Sequence, residues 1–238
     1  KLTATDDPNY QGILTGGISG GAGNNVQIHS VGYPSFSYFV FEQVYDAAGV
    51  PIEGLYVDRN GDGTVTPDDM YRYKKAAPDA TFGFYTGVNL GNFDLSLGAR
   101  AMVGNYVYNN NLASQGVYDF VYNSSGGSGG GYLNNVDSQT EALDINTPRY
   151  FSDHYVQDGS FLRIDHITAG YDFGNIGSAI SSFRLSITAQ NPLLITGYDG
   201  IDPEIASRDV TTNSVGFGID NNIYPRSRTF LLGLNVKF

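Results

Sequence analysis

The last ten residues alternate. In Thr229-Phe230-Leu231-Leu232-Gly233-Leu234-Asn235-Val236-Lys237-Phe238, the apolar Phe230, Leu232, Leu234, Val236 and Phe238 fall on one face of an extended chain. Thr229, Gly233, Asn235 and Lys237 fall on the other, with Leu231 the apolar exception. The pattern recurs. Phe93, Leu95, Leu97, Ala99, Ala101 and Val103 alternate with Asp94, Ser96, Gly98, Arg100 and Met102. Phe183, Leu185, Ile187 and Ala189 alternate with Arg184, Ser186, Thr188 and Gln190, and Phe82, Phe84, Val88 and Leu90 with Gly83, Tyr85, Gly87 and Asn89. A carboxylate and a guanidinium opposite a continuous apolar stripe require water on one side only. Such strands predict an all-β, antiparallel transmembrane β-barrel with lipid outside and a polar lumen inside. A soluble antiparallel sheet with one solvated face shares the period and stays open as an alternative.

Counted back from Phe238, strands are expected at about 229–238, 183–194, 161–173, 93–108, 81–90, 36–45 and 26–31, with a stub at Lys1. The connections alternate between short ones, around Tyr33-Pro34-Ser35, Gly91-Asn92 and 174–182, and long ones at 6–25, 46–80, 109–160 and 195–228. Outer-membrane barrels keep short turns on the periplasmic side and long loops outside, so the four long connections are expected to be extracellular. One strand slips phase: Leu162 and Ile164 are out of step with Ile167, Ala169, Tyr171 and Phe173, which predicts a β-bulge near Asp165-His166. Plain alternation would point Asp165 and His166 to opposite faces. The run Ser124-Ser125-Gly126-Gly127-Ser128-Gly129-Gly130-Gly131 cannot pack a core and predicts a mobile loop tip.

Composition sharpens this picture. The 31 Gly, 18 Tyr and 14 Phe favour strands and turns. No apolar run approaches the ~18 residues of a spanning helix, so a membrane would have to be crossed by strands. The absence of cysteine excludes disulfides, thiolate metal sites and thiol nucleophiles. Thirteen basic against 24 acidic residues, a formal charge of -11, argue against nucleic acid and anionic headgroups as partners. The chain opens at Lys1-Leu2-Thr3-Ala4-Thr5 with neither Met nor a signal-peptide core, and residues are expected upstream.

One segment carries metal-site spacing. Asp58-Arg59-Asn60-Gly61-Asp62-Gly63-Thr64-Val65-Thr66-Pro67-Asp68-Asp69 matches a twelve-residue calcium loop. Asp58, Asn60 and Asp62 sit at positions one, three and five, with Gly63 at the sharp turn. Thr64 offers a carbonyl, Thr66 a hydroxyl or a water, and Asp69 closes the shell around Ca2+ or Mg2+. Asp69 is shorter than the usual Glu, which weakens the site, and an acidic loop held by Asx turns without metal remains the alternative. Elsewhere chemistry is thin. Gly17-Ile18-Ser19-Gly20-Gly21 formally matches a nucleophile elbow but lacks the strand before and the helix after Ser19. His29, His154 and His166 have no zinc spacing, and Glu42, Glu53, Glu141 and Glu204 form no acid/base dyad. No catalytic residue is expected, and the chain is not read as an enzyme.

Several stretches resemble one family together. They are Tyr56-Val57-Asp58-Arg59-Asn60-Gly61-Asp62-Gly63, Tyr155-Val156-Gln157-Asp158-Gly159-Ser160-Phe161-Leu162-Arg163-Ile164, Ala189-Gln190-Asn191-Pro192-Leu193, Tyr198-Asp199-Gly200-Ile201-Asp202-Pro203-Glu204 and Tyr224-Pro225-Arg226-Ser227-Arg228-Thr229-Phe230. In this order they resemble the C-terminal part of SusC/RagA-type TonB-dependent outer-membrane transporters of Bacteroidetes, along essentially the whole of residues 1–238. The resemblance implies a barrel of about 22 strands, with an N-terminal plug outside this chain and a SusD-like surface lipoprotein over the outer loops. It further implies TonB-driven import of an oligosaccharide or a peptide, with no cofactor for transport. Asp94, Arg100, Arg184, Thr188 and Gln190 are the expected lumen-facing substrate candidates, and Tyr118, Tyr132 and Tyr155 the outer-loop aromatics that could stack on sugar rings. A passive outer-membrane porin and a secreted, calcium-stabilised carbohydrate-binding β-domain are the alternatives.

Overall fold

The computed structural model describes residues 12–18, 25–123, 131–205, 216–221 and 223–238. The stub at Lys1, Ser19 of the elbow-like motif and most of the Gly-rich run lie outside the described residues. In chain order the first strands are β1 (Ile13–Gly17), β2 (Asn25–His29), β3 (Ser37–Val40), β4 (Gln43–Tyr45), β5 (Pro51–Tyr56) and β6 (Tyr71–Lys75). Next come β7 (Ala80–Leu90), β8 (Phe93–Val103), β9 (Tyr106–Asn109), β10 (Tyr122–Asn123), β11 (Tyr132–Leu133) and β12 (Val156–Asp158). The last are β13 (Phe161–Ile176), β14 (Ile180–Thr196), β15 (Ile219–Asp220) and β16 (Thr229–Lys237). Two short helices, α1 (Asn110–Gln115) and α2 (Thr140–Leu143), fall between β9 and β12. The chain divides into two compact units.

One unit, Pro78–Gly104 with Ser160–Gly197 and Tyr224–Phe238, is an open antiparallel sheet in the order β16-β14-β13-β8-β7. Its registers put like with like. Leu234, Leu185, Tyr171, Phe93 and Leu90 form one row across all five strands, and Leu232, Ile187, Ala169, Leu95 and Val88 the next. On the other face Thr229, Gln190, His166, Gly98 and Tyr85 make a polar row. The apolar face is uncovered by protein: Phe230 is 74% exposed, Leu232 70% and Leu234 64%. Strand lengths run from 9 residues in β16 to 17 in β14, at or above the ~9–11 that a tilted strand needs to cross hydrocarbon.

The two ends of this sheet differ. At one end Leu90 pairs with Phe93 and Ile176 with Ile180, closed by the tight turns Gly91-Asn92 and Gly177-Ser178-Ala179. Gly91 turns at φ +59, suiting a two-residue hairpin with Gly first. The second turn is tighter than the expected 174–182 because β13 and β14 both run further. At the other end Ala80 faces Val103 and Phe161 faces Thr196, and every long segment leaves from there.

The expected bulge is present. Register shifts between Ile164 and His166, where Asn191-Pro192 of β14 lies opposite the extra residue Asp165. Asn191 adopts φ +49 and donates through Nδ2 to Ser227 O at 3.1 Å, and Pro192 has no N–H to contribute to the ladder. The irregularity brings Leu162 and Ile164 into step with Ile167, because they pair with Ala101, Ala99 and Leu97 of one β8 face.

The other unit, Lys1–Ala77 with Asn105–Gly159 and Tyr198–Ile223, has an enclosed core. It corrects the eight-strand meander. The segments 26–31 and 36–45 form strands, but β2 and β3 belong to a separate sheet, β1-β2-β3-β6, in this unit. The expected strand 93–108 breaks at Gly104, which turns at φ +78, so β9 joins β12 and β15 here instead. The expected long connections 46–80, 109–160 and 195–228 also carry strands and helices of this unit. Val26, Tyr38, Tyr108, Leu112, Val117, Ile145, Tyr155 and Ile219 are among its packed core residues, drawn from all three chain segments.

Polar groups knit the same segments. The Tyr38 hydroxyl lies 2.7 Å from Gly218 O and 2.8 Å from Tyr106 O, satisfying a phenol that burial would otherwise leave costly. Gly218 turns at φ +75, and a Cβ there would come within 2.7 Å of both Ala76 and the Tyr38 hydroxyl. Gln27 is wholly buried and donates to Phe217 O at 2.6 Å.

Candidate functional site

The polar face of the open sheet brings the five lumen candidates onto one surface. Arg184 of β14 reaches across β13 to Asp94 of β8, donating from Nε at 3.0 Å and Nη2 at 2.7 Å. The strand between them carries Gly170, where a Cβ would strike both partners, so the missing side chain is the notch through which the pair meets. Arg100 pairs with Asp165 at 3.3 Å, and Thr188 with Thr168 at 2.9 Å. Four of the five candidates are therefore engaged by neighbours within the sheet, while Gln190 makes no side-chain hydrogen bond among the described residues.

Asp165 and His166 do not point apart. Arg100 and Gly98 share one face of β8; the first reaches Asp165, and the His166 ring lies over the second. The bulge turns two consecutive side chains to one side, which plain alternation forbids. Tyr85 approaches the same imidazole, with ring centroids 6.1 Å apart. His166 and Tyr85 thus join Gln190 in a polar row that alternation alone did not single out. Arg184 with Asp94 and Arg100 with Asp165 neutralise one another on this face, while Thr229, Gln190, His166 and Tyr85 line the row as hydrogen-bonding groups.

The acidic loop folds on its own backbone. Asp58 accepts from Gly61 N at 2.7 Å and Gly63 N at 2.8 Å, Asn60 from Asp62 N at 2.8 Å, and Asp62 from Thr64 N at 2.9 Å. Asp69 is turned fully inward. Its oxygens take the N–H groups of Arg59, Asn60 and Thr66, and with Thr66 it completes a capping box over the 3-10 turn Pro67–Asp69. The Thr66 and Asn60 amides hold its carboxyl below the usual range. Among the described residues no three acidic or histidine side chains gather into a metal-holding group. The calcium-like spacing is here expressed as a hydrogen-bonded staple.

The outer aromatics separate. Tyr118 and Tyr132 are exposed, whereas Tyr155 is 1% exposed, packed edge-on against Tyr108 and His154, and is a core residue. Burial pushes its phenol well up. Glu53, which formed no readable pair in the sequence, receives the Thr147 hydroxyl at 2.7 Å, the Asn146 and Thr147 backbone amides, and Arg149. These donors, Thr147 Oγ1 first, hold its carboxyl down to about 2. Asp153 accepts from Tyr71 at 2.7 Å and from Gln43 N at 3.0 Å, while burial raises its carboxyl and lowers the neighbouring His154. Both carboxylates tie distant segments of one unit together.

No family model matches the chain. It is 41% identical, over an alignment of 248 residues, to the TonB-dependent receptor SusC of Bacteroides thetaiotaomicron, covering all of this chain and 23% of that protein. It is 30% identical to the TonB-dependent receptor P3 of Formosa agariphila, covering 77% of this chain and 19% of the relative. The chain thus spans about a quarter or less of the curated relatives it matches. The RagAB peptide transporter structure aligns with 91% of this chain and 24% of its own at a TM-score of 0.63 and 22% identity, a likeness of fold. These relatives are receptors rather than enzymes. An exposed apolar sheet face opposite a paired polar one, with every tight turn at one end, is the wall of an outer-membrane β-barrel, and the chain belongs to the SusC/RagA-type TonB-dependent receptors, matching the C-terminal part of their barrel.

Proposed function

We propose that the whole protein imports a nutrient, an oligosaccharide or a peptide, through the outer membrane at the expense of TonB. The chain contributes five strands of barrel wall, with Phe230, Leu232, Leu234 and Val236 against lipid and Asn235 and Lys237 toward the lumen. One observation carries this reading: the two-faced sheet, all of whose tight turns lie at one end, in a chain 41% identical to SusC throughout. On this reading the turns at Gly91-Asn92 and Gly177-Ser178-Ala179 are periplasmic, and the cored unit is extracellular. A SusD-like lipoprotein covers it. Transport draws on mechanical work through a plug and needs no cofactor.

Within the wall, the paired Asp94, Arg184, Arg100 and Asp165 neutralise one another, and Gln190, His166 and Tyr85 are the groups left to meet cargo or plug. Uptake of the cognate nutrient in cells with and without TonB is the test. Import should cease without TonB; uptake that continues unchanged would make a passive porin the better reading.

A further inference from the structure

The formal charge that argues against anionic headgroups for the chain as a whole is unevenly spread. From Asn221 to Phe238 there are three basic side chains, Arg226, Arg228 and Lys237, and no acidic one. Arg226 and Arg228 lie just before β16, in an exposed segment that begins with Tyr224, 94% exposed. Two features hold this segment extended beside the wall. Asn191, at φ +49, donates to Ser227 O at 3.1 Å, while Pro225 fixes its own φ and favours an extended Tyr224. The alternation that turns Phe230 and Leu232 outward therefore carries on to Arg228 and Arg226, with Ser227 and Thr229 on the opposite face. Arg228 makes no ion pair among the described residues, and the adjoining stretch of β14, residues 190–196, is uncharged. With 9 residues, β16 has about the least length that crosses hydrocarbon. The arginines thus stand at the edge of the apolar layer, on its lipid side.

We propose that Arg226 and Arg228 bind a phosphate of an outer-leaflet lipid, the headgroup of a phosphorylated glycolipid, with the Tyr224 ring in the same interfacial layer. The inference goes beyond import and rests only on the orientation that makes the tight turns periplasmic. A guanidinium presents paired N–H donors that match phosphate oxygens, and tyrosine favours the headgroup level. Basic side chains beside a membrane-spanning segment are the footprint that anionic lipid selects. A protein partner would need an apolar recess beside the arginines, and the neighbours on that face, Phe230 and Leu193, are wall residues turned outward to lipid.

Native mass spectrometry of the purified full-length transporter tests this, with diphosphoryl lipid A, its dephosphorylated form and inorganic phosphate as probes. The diphosphoryl lipid should be retained in preference to the dephosphorylated one. Arg226→Gln and Arg228→Gln should each weaken retention about 5-fold, equivalent to ~1 kcal/mol for one basic side chain at an anionic surface. Lys237→Gln, at the other end of β16, should leave it unchanged. All three positions are exposed, so heat-modifiability on gels should show an intact barrel in each variant. Equal retention of the two lipids, unchanged retention in both arginine variants, an equal loss in Lys237→Gln, or displacement by millimolar phosphate would overturn the proposal. Orientation is read separately: Asn92→Cys should resist a membrane-impermeant maleimide on intact cells. Labelling there would overturn the orientation and with it the outer-leaflet source, whereas uptake that ignores TonB would defeat the import reading alone.

Discussion

The two units of this chain use the same residues in opposite ways. In the cored unit Val26, Tyr38 and Leu112 are wholly enclosed, and the stability of that unit comes from apolar surface removed from water. In the open sheet the large apolar side chains stand outward, while the other face carries the Arg184–Asp94 and Arg100–Asp165 pairs. An exposed apolar face of this extent would be an aggregation hazard in water. In hydrocarbon it costs nothing, and the backbone is satisfied by its ladder. The comparison teaches that burial must be judged against the solvent each face meets.

The largest effect expected is in the core. Leu112→Ala should cost about 2–5 kcal/mol in the cored unit, seen as protease nicking within 105–159, while the barrel still inserts. Loss of insertion as well would mean that the two units do not fold independently. Next is the sheet. Leu234→Arg should cost about 2–4 kcal/mol near mid-membrane and lower outer-membrane yield, whereas Asn235→Arg should be tolerated. Equal yields would remove the assignment of faces.

Smaller still is the notch. Gly170→Val should cost about 1–3 kcal/mol by overpacking, and heat-modifiability on gels should report it as earlier barrel unfolding. No change would mean that Arg184 and Asp94 can meet by another route. The least effect is ionic. Glu53 has a carboxyl held at about 2, from 4.5, so it stabilises the folded unit fully above the unfolded value, and this contribution is lost as pH falls from about 4.5 toward 2. The thermal midpoint of the cored unit, followed by near-UV tyrosine signal, should drop over that window, and Glu53→Gln should remove this component of the drop. An identical pH dependence in the variant would assign the acid sensitivity elsewhere.

The wall strands were legible because one face is apolar and the other wet, the condition that makes alternation visible. Even the bulge could be read, as a slip between Ile164 and Ile167. The cored unit was not legible for the converse reason. Val26-Gln27-Ile28-His29 alternates like a wall strand, yet Gln27 is as buried as its neighbours, its Nε2 donating to Phe217 O far along the chain. In β3 every residue is buried, so no period distinguishes its faces. Tyr155 was misplaced likewise, since an aromatic in a supposed loop carries no local sign of the core it enters. In the acidic loop, Asx turns and a capping box satisfy the same oxygens that a cation would use.

The contact between Tyr38 and Gly218 spans 180 residues of chain. Closing so long a loop carries an entropic cost that only simultaneous packing of all three segments repays, and such non-local pairing is slow. The cored unit cannot be completed until the segment ending at Ile223 has arrived. The hairpins at Gly91-Asn92 and Gly177-Ser178-Ala179 need only neighbours. Order of assembly is thereby written into the topology: the two wall hairpins zip first, and the distant segments lock last.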